Sequence, residues 1–356
     1  MDPRTKKLAQ TIVKYSIFVK HDENVVIAGS TEAEDFIKAL YEEVLKAGGH
    51  PILRLTLPGL THNFYKHAQK HQVEKFPDDF EYIVKNSQKY IAIDSRSNTR
   101  ELTNADSSKI AVRSKVIWPI KEHIVNSKPL MHRVTVGFPC QALAQEAEMS
   151  LAEYEDFVFG ACLQDWKKLG AKMDKILKRF KKGSEVWLIG PGVDLKMKVH
   201  GEKAIADKGE ENMPGGEVFM APVRESLNGW IKFDFPSVRD GKEVSDIELT
   251  FKDGRVIEAR ASKNQEFLHK MLKMDKNAEY VGELGIGCNP KINKYTNNLL
   301  FDEKIGGTIH LALGAAYKEN GGGNDSALHW DIVKSMKKAK IIVDGKVIQM
   351  NGVWKI

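Results

Sequence analysis

The chain has 356 residues, 42% hydrophobic and 29% charged, with 54 Lys and Arg against 48 Asp and Glu for a net charge of +6. Such a chain can bury one large core or two medium ones, which excludes disulfide-stapled and disordered classes. Three cysteines, Cys140, Cys162 and Cys288, stand far apart with no CxxC pair, which argues against a thiolate zinc site and makes a reducing cytoplasm the expected compartment.

The opening stretch MDPRTKKLAQTIVKYSIFVK is charged and amphipathic, unlike a signal peptide, and no run approaches the ~18–20 apolar residues of a membrane span. Basic and acidic residues alternate through ILKRFKKGSE, EYEDF and KSMKKAK, so the positive excess reads as a solvated surface. The expected partners include neither nucleic acid nor membrane.

In chain order, Leu8, Ile12, Tyr15 and Phe18 suit one helix face, and Val25 to Ile27 form a short buried strand. Phe36 to Ala47 read as a helix closed by Gly48 and Gly49, and Ile52 to Leu57 return as strand, outlining a right-handed βαβ unit. Tyr90 to Ile93 and His132 to Gly137 predict strands. Ser107 to Asn126, Gln141 to Glu148 and Leu151 to Phe180 predict helices. After Gly183 the texture changes to short strands, with hairpin signals at Asp253-Gly254 and Asp344-Gly345. The expectation is an α/β domain with a mainly parallel sheet over residues 1–183. A C-terminal α+β catalytic domain rich in antiparallel strands follows over residues 184–356.

Phosphate-loop, HExxH and GxSxG motifs are absent. His62, His67 and His71 cluster in THNFYKHAQKH, but the segment is polar and flanked by lysines, so it reads as a solvated helix face. The C-terminal half differs, because ionisable residues interrupt apolar strand-like runs: Glu283 in YVGELGIG, His310 in GTIHLALGAAY, and His329 with Asp331 in SALHWDIV. A carboxylate or imidazole on such a strand costs free energy unless it is paired or bound to a metal. Strand period two points His329 and Asp331 to one face and Trp330 to the other, a two-ligand claw. His310 and Tyr317 have opposite parity on a regular strand, and a strand end or bulge at Gly314 would bring both to one site. With Glu217 in NMPGGEVF and Glu303 in LLFDEK, the half-chain offers a hard-oxygen and imidazole set suited to divalent ions.

NMPGGEVF, YVGELGIG, LLFDEK, HLALGAAY and NDSALHWD, in that order, together resemble the thermophilic-type cocatalytic metallo-aminopeptidases, the aminopeptidase T and aminopeptidase S family. VIWPIKEHI, FPCQALAQEAEMSLAEYEDFVFGAC and LIGPGVDL extend the resemblance into the first half. It implies an N-terminal α/β domain, a C-terminal catalytic domain and a homodimer. The implied activity removes N-terminal amino acids from short peptides with two divalent cations, zinc, cobalt or manganese. Carried over motif by motif, Glu217, Glu283, Glu303, His310, His329 and Asp331 are the implied ligands, and Glu283 bridges the ions. Tyr317 is implied to donate to the developing oxyanion, with Glu217 a ligand, a general base, or both. The Glu303 to His310 spacing is longer than the family's usual motif. Two other readings stay open from the residues alone: a dinuclear hydrolase of another amide or ester, and a metal-stabilised peptide-binding protein without turnover.

Overall fold

Strand Asn24–Ser30 buries Val25, Val26 and Ile27 completely and pairs in parallel with His50–Thr56. Between them the helix Glu34–Lys46 turns Phe36, Ile37, Leu40 and Val44 inward, the spacing of one apolar helix face. Gly48, at φ +83°, ends that helix in the left-handed region that glycine enters without a Cβ clash. Parallel strands Lys89–Asp94, His132–Gly137 and the short Asn212–Met213 complete a five-stranded sheet beside this βαβ unit.

The computed structural model describes residues 1–127, 130–239 and 241–356. These fall into two units, Met1–Leu163 with Gly209–Pro214, and Gln164–Lys208 with Gly215–Ile356. The expected single helix over Leu151 to Phe180 is two helices, Leu151–Cys162 and Trp166–Lys181. Asp165 starts the second by accepting a hydrogen bond from the Lys168 amide at 3.0 Å. The division between units falls at that break. The boundary expected near Gly183 lies instead at the far end of the second helix. That helix turns Leu169, Met173, Ile176 and Phe180 inward and lies against the strands Ile205–Asp207 and Glu217–Met220 of its own unit. Phe18 also departs from the expected helix face. The first helix passes through a π-helical turn at Ile12–Ser16, leaving Phe18 at φ +45° and 62% exposed.

Among the described residues, the second unit holds an eight-stranded antiparallel sheet and a five-stranded antiparallel sheet. Both predicted hairpins are in the larger one, with Asp253 and Gly254 at φ +46° and +80° and Asp344 and Gly345 at +46° and +76°. The smaller sheet runs in the order His329–Ser335, Thr308–Gly314, Val281–Gly287, Glu217–Met220, Ile205–Asp207. Every residue of Val281–Gly287 and of Thr308–Gly314 is buried. Side chains on these two strands have no solvent-facing alternative, so the ionisable ones must find partners.

Candidate metal centre

Register in the smaller sheet decides which side chains meet. Glu217 lies opposite Gly287, His310 opposite Gly285, Glu283 and Asp331 both opposite Ala312, and His329 opposite Gly314. Cross-strand partners share a face, as do alternate residues along a strand, so Glu217, Glu283, His310, His329 and Asp331 all project from one side. Trp330 projects from the other, where its Nε1 donates to Ser237 Oγ at 2.7 Å.

Gly285 makes the convergence sterically possible. A Cβ there would stand 1.9 Å from His310 Nε2, so the imidazole occupies the room that a side chain would have filled. His310 Nε2 lies 3.2 Å from Glu283 Oε1, 3.6 Å from Glu217 Oε2 and 3.9 Å from Asp331 Oδ1. His329 Nε2 lies 3.4 Å from Asp331 Oδ2. Each ring meets a backbone carbonyl with its other nitrogen: His310 Nδ1 donates to the Glu303 carbonyl at 3.2 Å and His329 Nδ1 to the Ala315 carbonyl at 2.9 Å. Because a carbonyl only accepts, the neutral tautomer carries its proton on Nδ1 and leaves the Nε2 lone pair for the centre.

Glu303 follows the short helix Leu299–Asp302, and buried Asp302 anchors the preceding turn by accepting from the Thr296 amide and hydroxyl at 2.7 and 2.9 Å. Tyr317 reaches the site because the strand stops at Gly314, φ +91°. Its ring centroid lies 5.1 Å from that of His329, and Tyr317 is 44% exposed. His67 and His71 do not share a helix face, for they lie on two separate helices, Leu60–His67 and Lys70–Glu74. Among the described residues, the groups able to share an ion are Glu217–Glu283–His310, Glu283–His329–Asp331 and Glu303–His310–Asp331.

The sequence reading missed three residues. Lys304 is fully buried, with Nζ 3.4 Å from Glu217 Oε1 and in an ion pair with Glu303. It closes the polar run Asp302 to Lys304, which reads as surface, so the sequence carries no signal of its burial. Ser237 and Arg239 lie on a separate short strand and bond the edge strand, Ser237 Oγ donating to the Asp331 carbonyl at 3.1 Å and Arg239 Nη1 to the His329 carbonyl at 2.5 Å. They hold the claw from behind, beside a cavity of about 90 Å³. No local pattern links them to it in sequence.

Burial pushes the Glu217 carboxyl up to about 8 although Lys304 opposes the shift. For His310, burial disfavours the imidazolium, but its hydrogen bond to Glu283 and the charges of Glu217 and Asp331 outweigh that and raise it to about 10. At neutral pH both groups therefore hold protons that an arriving cation would displace. The donor chemistry fits such a cation, since two buried oxygens aimed into the cluster, Glu283 Oε2 and Asp331 Oδ1, lack any hydrogen-bond donor.

Comparison with known proteins is consistent along the whole chain. The family described as thermophilic metalloprotease (M29) matches residues 1–354. Aminopeptidase AmpS of Bacillus subtilis (strain 168) is 25% identical across 99% of this chain and 100% of its own. Aminopeptidase T of Thermus thermophilus is 34% identical over 167 residues, 40% of each chain. The solved structure of wild-type AmpT from Thermus thermophilus shares the fold at a TM-score of 0.86 with 22% identity, covering 99% of both chains. That of 2,5-dihydroxypyridine dioxygenase from Pseudomonas putida KT2440 shares it at 0.58 with 12% identity, covering 98% of this chain and 96% of its own.

Replacing Gly285 by Ala is expected to destabilise the fold by about 1–3 kcal/mol, the usual range for overpacking, and to lower metal content by displacing the His310 ring and with it the Glu283 carboxylate that it contacts. His67→Ala is expected to change neither quantity. Denaturant titration and elemental analysis of the two variants check this.

Proposed function

The chain belongs to the thermophilic metalloprotease (M29) family and is a metallo-aminopeptidase; from that premise we propose how its own residues serve the reaction. The substrates are short peptides with a free N-terminus, and the divalent-metal centre is built from Glu217, Glu283, Glu303, His310, His329 and Asp331. The observation that carries this reading is the pair of orphaned buried oxygens, Glu283 Oε2 and Asp331 Oδ1, on carboxylates whose other oxygens lie 3.2 Å from His310 Nε2 and 3.4 Å from His329 Nε2. A divalent ion bound there polarises the scissile carbonyl and acidifies water.

The chain's residues do the rest. His329 and Tyr317 are the most exposed members of the set, so substrate enters from their side, while Glu217, Glu283, His310 and Asp331 stay covered. The carboxylates attract the positive α-amino group and orient the terminal residue. Tyr317 donates its hydroxyl proton in a hydrogen bond to the oxygen that becomes negative. Glu217, whose carboxyl burial holds near neutrality, is suited to take and return a proton during the reaction. Among the described residues no helix is long and apolar enough to cross a membrane. The finer expectations, a cytoplasmic homodimer using zinc, cobalt or manganese, rest on the family resemblance and the composition.

Purified protein is expected to cleave aminoacyl-anilides and leave their N-acetylated counterparts intact, with turnover lost to a chelator and restored by cobalt, zinc or manganese. Equal cleavage of the acetylated compounds would contradict the requirement for a free amine. Tyr317→Phe is expected to keep its metal content and KM while kcat falls by about 10²–10³-fold, the usual scale for one oxyanion donor. An unchanged kcat would assign the tyrosine to packing.

A further inference from the structure

The three possible ion groups are not equivalent, and a lysine separates them. Lys304 is fully buried, and its backbone is fixed on both sides: its amide donates to the Phe301 carbonyl at 3.0 Å and its carbonyl accepts from the Asn289 amide at 3.0 Å. Its ammonium reaches Glu217 Oε1 at 3.4 Å and pairs with Glu303. Two of the three groups contain one of those two glutamates. The third, Glu283–His329–Asp331, contains neither.

Glu283 and Asp331, whose Oε2 and Oδ1 lack a hydrogen-bond partner, are each shared with one of the other groups, but only Glu283–His329–Asp331 contains both, so one cation there meets both carboxylates. Glu217 instead has one oxygen toward Lys304 and the other 3.6 Å from His310 Nε2. An ion coordinated by Glu217, Glu283 and His310 would sit within a few ångströms of a buried ammonium, and like charges repel strongly where water is excluded. The metal preference of the cluster is therefore one-sided.

We infer that Lys304 is a built-in cation that takes the place of one of two metal ions, so that the centre holds a single divalent ion among Glu283, His329 and Asp331. Glu217 and Glu303 are then positioned by the lysine, and Glu283 is a terminal ligand with no second ion to bridge. This inference rests on the metal-centre reading above but departs from the two-ion centre that the family resemblance implies. Lys304 itself touches no reacting atom in this arrangement. It is a positioning residue.

The test is metal stoichiometry, which does not depend on turnover. Wild-type protein is equilibrated with excess zinc, passed through gel filtration and measured by elemental analysis and native mass spectrometry, alongside Lys304→Met and Lys304→Arg. One zinc per chain is expected for the wild type and Lys304→Arg. Two are expected for Lys304→Met, where a neutral side chain of similar length frees Glu217 and Glu303. Two zinc ions in the wild type overturn the inference whatever the variants do, including the case in which Lys304→Met fails to fold. A folded Lys304→Met that still holds one ion overturns it as well. Wild-type protein that retains no zinc would refute the underlying metal-centre reading, a distinguishable result.

Discussion

Four carboxylates, from Glu217, Glu283, Glu303 and Asp331, are gathered within a few ångströms of two imidazoles on one face of an antiparallel sheet, Glu303 reaching them from the end of the short helix Leu299–Asp302. Two unit charges 4 Å apart repel by about 4 kcal/mol at the effective dielectric of ~20 that suits protein sites. The cluster is stable only if protons or cations offset the charge of its members. His310 and Lys304 supply part of that positive charge from the chain itself. The uncompensated remainder, concentrated at Glu283 and Asp331, is the attraction that draws in a divalent ion.

The rest of the unit keeps these groups from moving apart. Glu283 and His310 lie on the two fully buried strands, and Gly285 provides the room in which the imidazole stands beside the carboxylates. Asp331 and His329 lie on the edge strand, where their carbonyls would otherwise meet water and the strand could shift. Ser237 and Arg239 bond those carbonyls and fix the edge. A donor displaced by about 1 Å from its ligand position loses much of its value, so this outer support matters as much as the donors themselves.

Much of this was legible in the sequence because it is local. Strand parity alone places His329 and Asp331 on one face with Trp330 opposite, and the Asp-Gly pairs mark their hairpins through the positive φ that the turn requires. The convergence of Glu217 with His310 was not local, since it depends on antiparallel register across three strands, and it was reached through motif resemblance. Lys304 was missed for a related reason. A lysine beside a glutamate reads as a surface pair until tertiary packing shows that the lysine is fully buried. The break at Asp165 was hidden because both flanking helices are amphipathic and a side-chain cap leaves little trace in hydrophobic periodicity.

The most direct measurement of the central claim is anomalous diffraction above the zinc edge from a crystal of the zinc-loaded protein. The account predicts one peak within ~2.0–2.2 Å of Glu283, Asp331 and His329 Nε2, the normal zinc-ligand distances. No peak at these side chains, or zinc held only by His62, His67 or His71, would contradict it.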